Sequence, residues 1–381
     1  MPIALGHFDP VLRPLLLSGR EALGDLEWFD AHTHIGQNDP DGLRATPEEI
    51  LDGLDEAGHS RALLFPMHEP GGYREANDAV LAACEASGGR FVALGRVSPH
   101  AEDAVAEAER CLQAGARGVK LHPRSDVFGL PHPAVGEVAA LVAEHDGVLL
   151  FHAGRGIPHL GESVVDLARE FPRAQVVLAH AGISDLGRIA PAAAELPNVR
   201  FDTSWWQVSD LLQLYATIPP GQILYGSDMP YGAGLLTSFL FLRLASAVGL
   251  EPRALRSIAG EQLERIVGGE PAADLGPAPG TEALGERVLE AERAAAYTSI
   301  AAQLAYRGTD PSEALSLAVF ACQRTSDDGP AEVLDAVAAL CRLGLDAVSR
   351  RPDRPRAAAP PALAAMALAG TPHAGVPAVP V

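Results

Sequence analysis

Apolar residues in this chain come in eight short, unbroken runs from residue 28 onward, and all but the last are followed by a stretch with helical spacing. The runs are WFDAHTH, RALLFP (61–66), FVALGRV (91–97), GVKLHP (118–123), GVLLFHAG (147–154), QVVLAHAG (175–182), VRFDTSW (199–205) and ILYGSDMP (223–230). Continuous rather than alternating apolarity marks parallel strands covered on both faces. The stretches between them carry helix signals. Thr46, Pro47 and Glu49 make a start with a capping box, and REANDAVLAACEASGG closes on a glycine stop. Eight strand and helix pairs in about 250 residues is the size and count at which a (β/α)8 barrel, or TIM barrel, closes. A doubly wound open sheet is the alternative; it gives no reason for eight units, and no glycine-rich phosphate turn follows any of these strands.

Beyond the eighth run, LLTSFLFLRLASAVGL and EPRALRSIAGEQLERIVGG read as closing helices, and then the composition shifts toward Gly and Pro. The pattern predicts an arm or short helix over 1–27, a barrel over 28–269, a linker over 270–280, a helical appendage over 281–350 and an Ala/Pro-rich tail over 351–381. In the appendage Leu284, Val288, Ile300 and Leu304 share one helical face, which needs a cover from the barrel or a second subunit. Asp310, Pro311 and Glu313 mark one further helix start, Pro330 and Glu332 another. From Arg356 to Val381 the chain is dominated by Ala, Pro and Gly and is expected to be disordered.

The composition narrows the function. At 381 residues and 48% hydrophobic content there is ample material for a core, and a formal net charge of -20 disfavours nucleic acid and anionic lipid as partners. Cys84, Cys111, Cys322 and Cys341 are scattered without a CxxC pair, which suits reduced thiols in a cytoplasmic protein. The start, MPIALGHFDPVLRPLLLSGR, has an acidic residue and three prolines where a signal peptide wants a basic start and a clean apolar block. No run reaches the roughly 18 apolar residues of a membrane span. A small-molecule substrate is the remaining expectation.

Candidate chemistry sits at the strand ends. The first strand finishes on His32 and His34, which share a face; the fifth finishes on His152, the sixth on His180 and the eighth on Asp228. All are metal-ligand types. The fourth adds Lys120 and His122, two apart and on one face. In a parallel barrel the carboxyl ends meet at one rim, so residues almost 200 positions apart converge where active sites of this fold lie. Arg124 and Arg155, directly after strands four and five, are placed to fork onto a substrate carboxylate or to form surface ion pairs. Trp205, Trp206 and Tyr231 are placed to wall the pocket or to pack against a helix, and the facing of Asp202 is open. His68 reads as a loop residue; His59, His100, His132, His145, His159 and His373 read as solvated.

In that order, DAHTHIG, FHAG, AHAG and YGSDMP resemble the amidohydrolase superfamily of metal-dependent barrels, in the amidohydrolase-related branch that includes aminocarboxymuconate semialdehyde decarboxylase-like enzymes. The resemblance covers roughly residues 28–269, including the closing IAGEQLERIV, and does not reach the appendage. It implies that His32, His34, His152 and Asp228 hold a divalent cation, with His180 in or beside the ligand set. Imidazole and carboxylate suit zinc, with manganese and iron as alternatives. It further implies Asp228 as base and then acid, and His180 steadying an oxyanion or positioning water. Binuclear members of the superfamily carry a carboxylated lysine on the fourth strand, so Lys120 is either such a bridge between two ions or an ordinary lysine facing a carboxylate or the substrate. The implied function is a metal-dependent hydrolase of a small amide, ester or lactone; the alternative is a non-hydrolytic decarboxylase of an aromatic or unsaturated acid, and a third reading is a scaffold whose appendage binds a partner. A homodimer is also in keeping with the resemblance.

Overall fold

Each apolar run folds into a parallel strand. The structure, a computed structural model, describes residues 9–24, 26–40, 42–323 and 330–377. The strands are β1 (Phe29–Ile35), β2 (Arg61–Pro66), β3 (Phe91–Ala93, resumed after Leu94 as Gly95–Arg96), β4 (Gly118–Leu121), β5 (Val148–Phe151), β6 (Gln175–Leu178), β7 (Val199–Asp202) and β8 (Ile223–Leu224). Every neighbouring pair is parallel, from Phe29 against Arg61 to Asp202 against Leu224. The last strand returns to the first: Ala31 N donates to Tyr225 O at 2.8 Å, Asp228 N to His32 O at 2.9 Å and His34 N to Met229 O at 2.8 Å. The sheet is therefore closed, as its eight units require.

Alternation along the strands shows why the runs are apolar throughout. Val148 and Leu150 face the barrel interior with Phe29, Leu63, Phe65 and Val177, while Leu149 and Phe151 face the surrounding helices. The helix Pro47–Ala57 has both bonds of its capping box, Glu49 N to Thr46 Oγ1 at 3.3 Å and Thr46 N to Glu49 Oε2 at 2.9 Å, and stops at Gly58, whose φ of 64° suits glycine. The closing helix Gly234–Ala247 is buried almost all round, with Leu235, Leu236, Phe239, Leu240 and Phe241 inside. Residues 9–17 form a short helix whose Leu12 and Leu16 are buried; residues 1–8 of the expected arm lie outside the described residues. The 270–280 stretch has no helix or strand, yet is pinned down: Ala273 N donates to Gln262 Oε1 at 2.9 Å and Gly280 N to Ala216 O at 2.9 Å.

Two expectations about the C-terminal part are corrected. Residues 355–374 are helical rather than disordered: a turn, Pro355–Ala358, leads into the helix Ala359–Gly370, in which every residue from Ala359 to Ala369 is buried. Ala and Pro richness alone does not make a chain disordered: disordered chains combine high net charge with low hydrophobicity, whereas Ala, Leu and Met without charge make a helix hydrophobic on all sides, the pattern of a central one. Residues 378–381 lie outside the described residues. The second correction concerns the face of Leu289–Tyr306: Leu284 and Ile300 are 43% and 47% exposed, Val288 and Leu304 pack half-buried on the core, and the buried positions are Ala291, Ala294, Thr298, Ser299, Ala301, Ala302 and Ala305. Small side chains bring helix axes close, so alanines rather than the larger aliphatics carry this contact. This helix, Ser312–Ala321, Ala331–Arg350 and Ala359–Gly370 form one bundle that rests on the barrel. Ser299 Oγ donates to Gln207 Oε1 at 3.0 Å, Tyr306 OH to Tyr231 O at 2.7 Å and Arg243 Nε to Thr371 Oγ1 at 2.8 Å. No described helix is long and apolar enough to cross a membrane.

Candidate active site

All strands of a parallel barrel end at one rim, and the ligand-type residues gather there. His32 and His34 lie on β1, whose pairing slips between Asp30 and Thr33, an irregularity that re-aims side chains. His152 directly follows β5. His180 opens the turn His180–Gly182 two residues after β6, and Asp228 sits in the loop after β8, so neither is in a strand. Both have left-handed backbones, with φ of 55° and 63°, a conformation that costs a non-glycine residue energy and recurs at functional sites. Ligand atoms of His32, His180 and Asp228 all lie within 4.8 Å of one another. His34 Nε2 is 3.2 Å from Asp228 Oδ1, and His152 Nδ1 is 2.9 Å from His180 Nε2. The five expected residues are thus brought together, three of them at mutual ligand distance.

Their orientation is set from behind. Asp202 Oδ2 lies 2.7 Å from His32 Nδ1, and the carbonyl of Ser204 lies 2.6 Å from His180 Nδ1. Both oxygens accept, so each Nδ1 carries its proton and each Nε2 keeps a lone pair. His32 Nε2 is buried with no hydrogen-bond partner, as is His34 Nδ1. The other oxygen of Asp202 accepts from the backbone N of His180 at 2.9 Å and from the hydroxyl of Ser204. Unspent lone pairs held by hydrogen bonds to the opposite ring nitrogen are what a histidine metal ligand needs. Behind His152, Gly154 leaves room: a Cβ there would stand 2.7 Å from His152 Nε2.

Electrostatics agree with that fit. Burial, reinforced by neighbouring positive charge, pushes His32, His34, His122 and His152 well below the ordinary imidazole value, and takes His180 to about 4. Neutral imidazoles can bind a cation. Burial raises the Asp228 carboxyl well above the usual range, against the pull of Lys120. Lys120, the sole lysine of the chain, is fully buried over the Phe65 ring with no partner for Nζ; burial lowers it to about 7, against the pull of Asp202. A His, His and Asp group that can hold a divalent ion is therefore present.

A cavity of about 340 Å³ opens beside Asp228. Arg124, Arg155, Trp205, Trp206 and Tyr231 line it, with Arg155 5.1 Å over the Trp205 ring. His122 does not line it. That ring stacks on His152 at 3.8 Å, and its Nδ1 accepts from Ser125 N at 3.1 Å, so it backs the site. His59, expected in solvent, is buried against the Trp28 ring with Nδ1 3.7 Å from Asp30 Oδ2. It follows the Gly58 helix stop, where the chain turns back into the barrel. Sequence reasoning left the facing of Asp202 open and missed Ser204; the available signal was an acid at a strand end of the same barrel. It also missed Gln303, Tyr306 and Arg307, which line the cavity from the appendage, and Leu363, which lines it from the helix Ala359–Gly370.

The family model described as Amidohydrolase matches residues 29–261. No curated protein matches the chain. Similar solved structures include 2,6-dihydroxybenzoate decarboxylase from Rhizobium, at 14% identity and TM-score 0.50, covering 64% of this chain and 99% of that one. An uncharacterised TIM-barrel protein of Bordetella bronchiseptica is similar at 16% identity and TM-score 0.52, covering 64% and 99%. The apo form of IDCase from Metarhizium anisopliae is similar at 15% identity and TM-score 0.51, covering 65% and 98%. At these identities the likeness is one of fold.

Proposed function

The chain belongs to the amidohydrolase family, and on that premise we propose that it is a metal-dependent hydrolase that opens a small, carboxylate-bearing amide, ester or lactone with water. The observation that carries the reading is the meeting of His32, His180 and Asp228, with the two imidazoles aimed by Asp202 and Ser204. In this reading His32, His34, His152, His180 and Asp228 hold the cation, zinc in first place, with manganese and iron as alternatives. When bound, the ion supplies Lewis-acid activation of water and of a substrate oxygen. Asp228 takes a proton from the attacking water and passes it to the leaving group. Because the Nδ1 proton of His180 is spent on the Ser204 carbonyl, its Nε2 carries a lone pair and no proton, which suits joining the ligand set rather than steadying an oxyanion. Arg124 and Arg155 fork onto the substrate carboxylate while Trp205 and Tyr231 shut out bulk water. Lys120 either bridges a second ion in carboxylated form or faces the substrate as a free amine.

Decarboxylation of an aromatic or unsaturated acid is the second reading, favoured by the indole and guanidinium walls of the cavity, which suit a flat acid. Stripping the metal with a chelator is expected to abolish turnover across a panel of small amides, esters and lactones, and readdition of zinc, manganese or iron to restore it. Unchanged turnover after stripping would overturn the proposal. Oxygen-labelled water separates the two readings: the hydrolase places the labelled oxygen in its product acid, whereas the decarboxylase releases carbon dioxide and takes only a proton from solvent, leaving no water oxygen in its organic product.

A further inference from the structure

The appendage reaches past the barrel wall to the barrel mouth. Gln303, Tyr306 and Arg307, at the end of the Leu289–Tyr306 helix, line the same cavity as Asp228, Arg124 and Arg155, and Leu363 of the last helix closes it from another side. The matched family region stops at residue 261, so this wall lies outside it. Its charge is out of keeping with the rest of the molecule. The chain has 49 acidic against 29 basic residues, yet among the described residues Asp228 is the one acidic residue lining the cavity while three arginines line it. Among the described residues none of Arg124, Arg155 and Arg307 is in an ion pair. A divalent cation at the rim adds charge of the same sign, and unpaired guanidiniums around a cavity of this size are matched by a ligand carrying more than one negative group. Between the arginines the walls are flat or apolar: Trp205, Trp206, Leu236, Leu240 and Leu363.

We propose that the appendage forms the outer half of the substrate site, with Arg307 binding an anionic group remote from the reacting bond, so that the substrate is a small flat molecule carrying two anionic groups. This assignment rests on the site proposed above, since it is that site's substrate which Arg307 anchors.

Full-length, metal-loaded protein titrated with terephthalate, benzoate and benzamide tests it, read by quenching of tryptophan emission, because two of the three tryptophans line the cavity. Terephthalate is expected to bind about tenfold more tightly than benzoate, one added charge-assisted contact, and benzamide not to saturate. Arg307→Gln is expected to bring terephthalate down to the level of benzoate while leaving benzoate within about twofold; Arg307→Lys keeps the charge and the preference. Arg307 is exposed, so both variants should fold, and unchanged ions per chain by elemental analysis confirm an intact site. A Gln variant that loses both probes equally, or neither, overturns the proposal, as does wild-type protein that binds benzamide as well as terephthalate. Absence of any divalent ion would instead sink the metal-dependent function, while the charge preference would still report on Arg307.

Discussion

Asp202 aims two imidazoles with one carboxylate. One oxygen fixes the His32 ring and the other fixes the backbone of His180, whose ring is held by Ser204 two residues further on. Asp202→Asn keeps the size but replaces one acceptor with a donor, which turns the His32 tautomer the wrong way. We expect metal affinity to fall about 10- to 100-fold, measured by competition with a chromophoric chelator; an unchanged affinity would show that this carboxylate does not aim the ring. Lys120 poses the reverse case, a buried amine with no hydrogen bond. Lys120→Met fills similar space and removes an uncompensated polar group, so the thermal midpoint should hold or rise while turnover falls if the amine has a chemical role. A lowered midpoint would mean that the amine is paired in solution. At this scale the proposed ligand residues were legible because each is a metal-ligand type at the end of an apolar run. Asp202 was not, because its facing depends on where β7 stops being regular.

The element that sequence patterning misjudged most is the helix Ala359–Gly370. Its residues are good helix formers with two prolines at the start, and its lack of charge is a consequence of burial on every side. Ala364, with no exposure, is a direct probe. Ala364→Asp places a carboxylate where nothing pairs with it and should cost more than about 3 kcal/mol in denaturant unfolding. Unchanged stability would mean that this helix is not docked. In the Leu289–Tyr306 helix Ile300 faces outward and Leu304 is half-buried, whereas the alanines are inside. Helical periodicity identifies faces, but two faces of one helix can both be apolar, and which is covered depends on the neighbour.

For the whole molecule, folding and site assembly are coupled through the closed sheet. The proposed ligands come from β1, β5 and the loops after β6 and β8, so an ion that joins them binds only the folded chain. Its removal should cost about 2.7 kcal/mol when the ion is at 100 times its dissociation constant, and lower the thermal midpoint by several degrees. Scanning calorimetry with and without chelator checks this; identical midpoints would argue against a shared ion. By itself the sequence determined the eight βα units, the closed parallel barrel and the convergence of His32, His34, His152, His180 and Asp228 at one rim, because strand periodicity and barrel topology leave a residue at a strand end nowhere else to go. Only the tertiary structure decided that Asp202 and Ser204 orient the imidazoles, that the Ala-rich C-terminal stretch is a buried helix, and that Arg307 and its neighbours reach the cavity. Those outcomes depend on which surfaces meet across long separations in the chain, and local pattern carries no record of such meetings.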